Sequence, residues 1–265
     1  MLVTAVHAPE SISAATDLLH QGGSVLGGGT LVMAAVNAGE APSAELISLH
    51  RLGLSGITTT EGGVRVGAAT PLGDLLGEPR LEFLHPAVRG IGSPTLRNTA
   101  TVGGNLFADG PYGDLAVCLL ALGATVTVAG RSGTYDTTVT GLARTGAGAI
   151  VTSVRFDLPD PDTWRYHKAM RRKLNSASIV TVAAVIGRRA GVIADPRIAL
   201  GGVAPSPVRA TSAEAALAGR PLTPATVEAA GRAARADIAP ADDAYASAWY
   251  RRRVLPVHLR RTLLG

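Results

Sequence analysis

Two glycine-rich segments carry the residue types and spacing that could hold an anion. In residues 25–32 three consecutive glycines follow a short apolar run, and Thr30 leads into another apolar run; residues 101–105, "TVGGN", form a second loop with two glycines. Backbone N–H groups that converge before a helix bind phosphate, helped by the positive end of the helix dipole. Taken alone, Gly27 to Gly29 are as typical of a tight turn. Together, with their hydroxyl and amide side chains, they favour a pyrophosphate held from two sides.

Glycine in such loops is expected where a β-carbon would occupy the space of a phosphate oxygen. We therefore predict close backbone approach to the ligand at Gly28, Gly29, Gly103 and Gly104. The first loop lacks the Lys that ends a Walker A motif, and its glycine spacing differs from the dinucleotide fingerprint of a Rossmann fold. The ligand site is therefore of another type.

Asp114 follows the second loop and precedes an apolar helix that begins near Leu115. A carboxylate at such a place accepts hydrogen bonds from the vicinal hydroxyls of a ribose. It equally serves as the N-cap of the helix, because a short polar side chain accepts from free N–H groups there. Both interpretations stay open on the sequence alone.

Other chemistry has little support. No two histidines lie three or four positions apart, so no metal-binding pair shares a helix face; they are His7, His20, His50, His85, His167 and His258. The sequence has no Gly-x-Ser-x-Gly elbow, its carboxylates are scattered, and Cys118 lies inside an apolar run. We predict no catalytic side chain and no metal site.

The elements that position these loops follow from periodicity. The first fifty residues alternate short apolar runs with helical spacing and predict a βαβαβ unit, whereas residues 56–70 resemble an antiparallel hairpin. A Pro-Asp-Pro-Asp break ends this region. We predict an α+β chain with a domain at 1–162, made of subdomains at about 1–52 and 53–162, and a second domain at 163–265.

Composition limits the partners. The net charge is +5, but aromatic residues make up only 4% of the chain and the basic residues cluster instead of forming a stripe, so no nucleic acid is expected. The arginines of the last fifteen residues are interpreted as a solvated helix face or a docking face for an acidic partner. One cysteine excludes an internal disulfide, and no apolar run is long enough to insert into a membrane. A cytoplasmic protein is expected.

Four segments together carry a family resemblance: "LGGGTLVM", "TVGGNL", "YHKAMRRKLN" and "SAWYRRRVLPVHLRRTL". In this order and over nearly the whole chain, the sequence resembles the FAD-binding medium subunit of molybdenum hydroxylases, which include carbon monoxide dehydrogenase and xanthine dehydrogenase. The resemblance implies the FAD-binding fold of the vanillyl-alcohol oxidase and p-cresol methylhydroxylase type. It also implies a following small domain with a three-stranded antiparallel sheet and helices.

The resemblance assigns FAD contacts to both loops, a ribose contact to Asp114, an apolar contact to Val151 and a position near the cofactor to Lys168. The residues so assigned are Val25, Leu26, Gly27, Gly28, Gly29, Thr30, Leu31, Val32, Thr101, Gly103, Gly104, Asn105, Asp114, Val151 and Lys168. No catalytic residue and no metal ligand are implied in this chain.

The function implied by the resemblance is electron transfer. A small partner subunit with [2Fe-2S] clusters would supply electrons, a large molybdopterin subunit would carry the substrate chemistry, and this chain would pass the electrons to an external acceptor. The assembly would be a heterotrimer or a dimer of heterotrimers. The alternative is a free-standing flavin-dependent oxidase or reductase of the same fold. A noncatalytic nucleotide-binding or nucleic-acid-binding module is a third possibility.

Overall fold

The computed structural model describes residues 2–60, 62–144, 148–172 and 176–265. The chain divides into two compact units, and neither is continuous in sequence. Unit 1 comprises Met1–Pro79, Ser93–Phe107 and Ala124–Phe156, and unit 2 comprises Arg80–Gly92, Ala108–Gly123 and Asp157–Gly265. The domains predicted from the sequence, 1–162 and 163–265, are continuous and do not include this exchange of segments.

The strands are β1 (Ala5–His7), β2 (Ser24–Leu26), β3 (Glu45–Ser48), β4 (Ile57–Thr59), β5 (Gly63–Gly67), β6 (Thr125–Gly130), β7 (Gly133–Thr138), β8 (Ile150–Asp157), β9 (Trp164–Met170), β10 (Ser178–Arg189), β11 (Val192–Gly201) and β12 (Val208–Arg209). The α-helices are α1 (Ile12–His20), α2 (Val32–Asn37), α3 (His85–Arg89), α4 (Pro94–Arg97), α5 (Val102–Leu106), α6 (Asp114–Leu122), α7 (Thr211–Leu217), α8 (Pro224–Ala233) and α9 (Ala248–Leu264). Short 3-10 helices span Leu72–Gly77, Pro79–Leu84, Thr140–Arg144 and Ala234–Asp237.

Unit 1 begins with the predicted βαβαβ arrangement. The strands form a parallel sheet in the order β1-β3-β2. Ser11 is the N-cap of helix α1, and its Oγ accepts a hydrogen bond from the Ala14 N–H at 3.2 Å. Its buried Ala15 and Leu19 pack on Ile47 of β3. The parallel order brings the end of β2, where the first glycine loop begins, beside β3.

The second sheet of unit 1 contains five strands in the order β4-β5-β8-β6-β7. Strands β4 and β5 pair antiparallel, from Ile57 opposite Val66 to Thr59 opposite Val64, as the hairpin pattern predicts. Strand β6 pairs antiparallel with both β7 and β8. The Ala68 N–H just after β5 donates to the Thr152 carbonyl in β8 at 3.0 Å, which fixes the segment that supports the second glycine loop.

Unit 2 is built on an antiparallel sheet in the order β12-β11-β10-β9. The resemblance implies three strands; the fourth, β12, is only two residues long and pairs with Ala199 and Leu200 of β11. Strand β12 is too short for an alternating pattern to show it. An apolar core of Val182, Leu200 and their neighbours joins the sheet to α7, α8 and α9, and α6 also packs on β10 and β11.

Arg251 connects α9 to this sheet through hydrogen bonds. Its charged side chain is buried, with 1% of its surface exposed. Its guanidinium donates to the carbonyls of Ser178, Ile179 and Gly202, and to the Asp243 carboxylate at 2.6 Å. Partial burial raises the pKa of Asp243, but hydrogen bonds from two backbone N–H groups and from Arg251 outweigh it, and the pKa lies below its ordinary value. Arg251 is thus a structural residue.

Candidate functional site

The first glycine loop joins β2 to α2 within unit 1. Val25 and Leu26 lie at the end of β2, and Val32 is the first residue of α2. Within the part of the chain that the structure describes, the backbone N–H groups of residues 28–31 donate to no other protein group. Gly29 has φ +75°, a left-handed conformation that favours glycine. The loop therefore presents consecutive free donors.

The first loop packs directly on the chain that leads into the second loop. A β-carbon on Gly28 would lie 1.7 Å from the Thr99 carbonyl oxygen, and one on Gly27 would lie 2.9 Å from Thr101 Oγ1. The structure thus brings the two predicted loops together. It also adds a reason for Gly28, because the protein's own backbone excludes a side chain there whether or not a ligand approaches.

The second loop uses its N–H groups within the protein. Thr101 is the N-cap of α5, and its Oγ1 accepts from the Gly104 N–H at 3.2 Å. The N–H groups of Val102 and Gly103 donate to the carbonyls of Thr70 and Ala68, at 2.9 and 2.8 Å, and that of Asn105 donates to the Thr101 carbonyl. This differs from the expectation that both loops direct free N–H groups at an anion.

The glycines of the second loop also face protein atoms. A β-carbon on Gly103 would lie 2.9 Å from Ala68 Cβ and 3.0 Å from the Ala68 carbonyl oxygen, so Gly103 allows α5 to approach the end of β5. On Gly104, which is exposed, it would meet Thr101 Oγ1 alone, at 3.0 Å. Packing within the protein therefore explains the glycine at Gly103. At Gly104 it does not, and the approach of a ligand stays the predicted reason.

Val151 lies in β8, opposite Val128 of β6, and is buried. Its side chain contributes to the apolar interior of unit 1. A contact between Val151 and the cofactor stays a prediction.

Asp114 and Lys168 form an ion pair inside unit 2. The Lys168 Nζ donates to Asp114 Oδ2 at 2.7 Å, and each side chain is 5% exposed. The same Nζ donates to the Gly90 carbonyl at 2.8 Å, while Thr181 Oγ1 donates to Asp114 Oδ1 at 2.7 Å. Two assigned residues that lie far apart in sequence are thus joined. Replacing either residue by a neutral one would strongly lower the free energy of unfolding, because the remaining partner would be a buried, uncompensated charge.

The capping alternative for Asp114 is wrong. Gly113 is the N-cap of α6, with φ +83°, and Asp114 is the first helical residue. The negative charge is still favourable at the start of the helix dipole. Each carboxylate oxygen keeps a further lone pair, so the ribose contact of Asp114 stays a prediction.

The Asp114 charge acts on two buried neighbours. Burial first, and then Asp114, raise the pKa of Tyr166 and of Cys118 well above their ordinary values. Cys118 therefore remains a protonated, unreactive thiol, as its apolar surroundings in the sequence indicate. The Tyr166 hydroxyl is buried and has no hydrogen-bond partner among the described residues.

Sequence reasoning missed the groups that support the site. Thr99 and Ala68 act through their backbones, which leave no signal in the side-chain pattern. Gly90 likewise acts through its carbonyl oxygen. Thr181 could have been found, because it is a hydroxyl residue inside the apolar run "SIVTVAAV" of a buried strand.

Two histidines that are distant in sequence also meet in unit 2. His167 Nε2 lies 3.1 Å from His258 Nδ1, and the rings stack. Burial, followed by the positive charge of Arg261, lowers the pKa of His167; burial, His167 and Arg261 lower that of His258 to about 4. Both rings are therefore neutral near pH 7. Across the described ranges, no group of three or more His, Cys, Asp or Glu side chains is placed to bind a metal ion.

Two sequence models of known families match the chain. "FAD binding domain in molybdopterin dehydrogenase" matches residues 2–156, and "CO dehydrogenase flavoprotein C-terminal domain" matches residues 165–265. The first match contains both glycine loops, Asp114 and Val151, and the second contains Lys168. The first family model thus covers the predicted FAD-binding domain, and the second covers the predicted small domain that follows it.

Similar proteins agree with these matches. The glyceraldehyde dehydrogenase medium chain of Sulfolobus acidocaldarius is 30% identical, over 80% of this chain and 79% of its own. The carbon monoxide dehydrogenase medium chain of Hydrogenophaga pseudoflava is 29% identical, over 97% of this chain and 94% of its own. A solved structure of carbon monoxide dehydrogenase from the same organism superposes with a TM-score of 0.92, at 28% identity, over 99% of this chain and 96% of the other.

Proposed function

This chain belongs to the family of FAD-binding medium subunits of molybdenum hydroxylase complexes, and we propose that its role there is electron transfer. Electrons come from [2Fe-2S] clusters of a small partner subunit and leave to an external acceptor. The chain itself contains one cysteine, too few to ligate such a cluster, which supports a division of labour between subunits.

The free N–H groups of the first loop carry this proposal. FAD contains a pyrophosphate, and residues 28–31 present consecutive donors before a helix start, where phosphate binds. The residues present therefore fit the group. When bound, FAD supplies the redox chemistry, and the protein supplies binding and orientation.

Each part of the site has its own proposed task. The first loop holds the pyrophosphate through its backbone, while the Thr99 carbonyl and Thr101 hydroxyl fix the position of that loop through their contacts at Gly28 and Gly27. Asp114, Val151 and Lys168 remain proposed cofactor contacts. None of them has to transfer a proton, so no catalytic side chain is proposed.

The partners follow from the division of labour. A large molybdopterin subunit carries the substrate chemistry, and the complex is a heterotrimer or a dimer of heterotrimers. The similar medium chains are named after a glyceraldehyde dehydrogenase and a carbon monoxide dehydrogenase. One kind of medium chain thus serves enzymes named for different substrates, which supports placing substrate choice in another subunit. The location proposed is cytoplasmic; no helix within the described ranges has the length and hydropathy to cross a bilayer.

The test is flavin binding followed by electron transfer. The purified chain is loaded with FAD, gel-filtered, and measured for flavin absorption per protein. Reduced iron-sulfur partner is then mixed with the loaded chain, and loss of the flavin absorption is followed by stopped flow. We expect flavin close to one per chain and rapid reduction by the partner.

The outcomes separate the alternatives. A chain that remains colourless contradicts FAD binding. A loaded chain that the iron-sulfur protein does not reduce, but that oxidises or reduces an organic substrate by itself, supports the free-standing flavoenzyme instead.

A further inference from the structure

Helix α9 has one buried face and one exposed face. Leu255, Leu259 and Leu263 are fully or nearly fully buried against the sheet of unit 2, and Arg251 is fixed beside them. The opposite face exposes large apolar residues, among them Trp249 with 66% of its surface accessible. A soluble helix normally presents charged and polar residues on that side.

The exposed residues form a continuous stripe along the helix. Spacings of three or four positions place side chains on one helix face. The members of this α9 stripe are Trp249, Arg253, Val257, Arg260 and Leu264. Arg253 lies over the Trp249 ring, with its guanidinium carbon 5.5 Å from the ring centroid. The stripe therefore alternates apolar and cationic surface.

Apart from Arg251, which pairs with Asp243, the arginines of α9 have no ion-pair partner among the described residues. The helix contains no Asp or Glu, and its exposed arginines are Arg252, Arg253, Arg260 and Arg261. Among the described residues, none of these four forms an ion pair. An occupant of this surface must supply acidic groups as well as apolar contact.

We propose that the α9 stripe docks an acidic, partly apolar surface of a partner subunit, an inference that rests on the proposed function in a complex. Trp and Arg are the residues that most often dominate the binding energy of protein interfaces. Trp249 provides the apolar anchor, held by Arg253, and the arginines provide complementary charge that orients the partner.

Two other occupants fit the surface less well. A second copy of this chain would bring two arginine-rich stripes together, and like charges in a contact repel. An anionic lipid surface would use the positive charge, but the apolar face that could enter a bilayer is already buried in the core. The apolar members of the α9 stripe, Trp249, Val257 and Leu264, would be left for lipid, and arginines separate them along the helix.

The experiment measures the affinity of the FAD-loaded full chain for the isolated iron-sulfur and molybdopterin subunits by sedimentation velocity. The test variants are Arg253→Glu with Arg260→Glu, and Trp249→Ala. The matched control is Arg188→Glu with Arg189→Glu, which reverses two exposed arginines at the end of β10 in the same unit. Circular dichroism and flavin content verify that every variant is folded and loaded.

We expect both stripe variants to lose affinity for the same partner subunit by about tenfold or more. The affinity of the control should stay within about twofold of that of the original chain. Unchanged affinity in both stripe variants would overturn the inference. So would wild-type dimers that the stripe variants lack, or wild-type chain that sediments with phosphatidylserine vesicles while the stripe variants do not.

Failure of this inference is distinguishable from failure of the proposed function. A chain that binds FAD but whose partner affinity ignores the stripe disproves only the docking surface. If the chain takes up no FAD, which disproves the proposed electron-transfer role, the same affinities are measured on the chain without FAD, and their dependence on the stripe still supports the docking surface.

Discussion

The two glycine loops have similar sequences, yet they use their backbones differently. In the first loop the N–H groups of residues 28–31 have no acceptor among the described protein groups, whereas in the second loop those from Val102 to Asn105 each donate to a protein oxygen. The N–H groups of the first loop are therefore available to the pyrophosphate that we propose for it. Those of the second loop hold α5 in place.

The glycines differ in the same way. Gly28 and Gly103 are required by the protein's own packing, while Gly29 is required by its left-handed conformation. Adjacent glycines in one motif can therefore serve packing, conformation or ligand approach. Substitutions at single positions of the two loops separate these purposes.

Gly28→Ala should have the largest effect. Its β-carbon would lie 1.7 Å from the Thr99 carbonyl oxygen, so one of the two backbone segments must move. We expect a loss of about 3 kcal/mol in the free energy of unfolding and loss of FAD binding. Urea denaturation and flavin content measure both effects. Gly77→Ala is the control, because its β-carbon would meet no atom within 4 Å; equal behaviour of the two variants would contradict the packing argument.

Gly103→Ala should destabilise the fold by about 1 to 3 kcal/mol, since the new methyl group would press on Ala68. The first loop keeps its free N–H groups, so FAD affinity measured by fluorescence titration of the folded protein should change little. A variant with normal stability and strongly weakened FAD binding would show that Gly103 serves the ligand instead.

Thr101→Val removes the hydroxyl that caps α5 and accepts from the Gly104 N–H. The loss of an N-cap costs about 1 kcal/mol in the free energy of unfolding. Thr101→Ser is the matched control, because it keeps the acceptor and should remain close to the original stability. If the valine and serine variants have the same free energy of unfolding in urea denaturation, the cap does not stabilise this loop.

Gly104→Ala should have the smallest effect on stability, within about 0.5 kcal/mol of the original chain, because Gly104 is exposed and its β-carbon would meet only Thr101 Oγ1. FAD affinity is the decisive readout. Unchanged affinity sharpens the contrast between the loops. A large loss of affinity at normal stability would break the contrast, since it would mean that the ligand reaches the second loop too.

The sequence predicted much of this arrangement. Helical and alternating periodicity predicted the βαβαβ unit and the β4–β5 hairpin, and four sequence motifs indicated the family. These features depend on neighbouring residues or on residue types alone. The remainder depends on contacts between distant residues, such as Thr99 with Gly28 or Lys168 with Asp114. No local pattern encodes which carbonyl oxygen a glycine must avoid.

Asp114 shows the same limit. Its position before an apolar run predicted a helix start, and α6 does start there. The sequence did not show that Gly113 would take the capping position, nor that Thr181 and Lys168 would hold the carboxylate. Those partners come from β9 and β10, which only the tertiary fold brings to the start of α6.

Backbone hydrogen exchange with and without FAD tests the central claim most directly. The N–H groups of residues 102–105 should be protected in both states, because they are bonded within the protein, whereas those of residues 28–31 should exchange rapidly in the free chain and become protected with FAD. Protection of residues 28–31 before FAD is added, or no change on its addition, would contradict the assignment of the first loop as the pyrophosphate site.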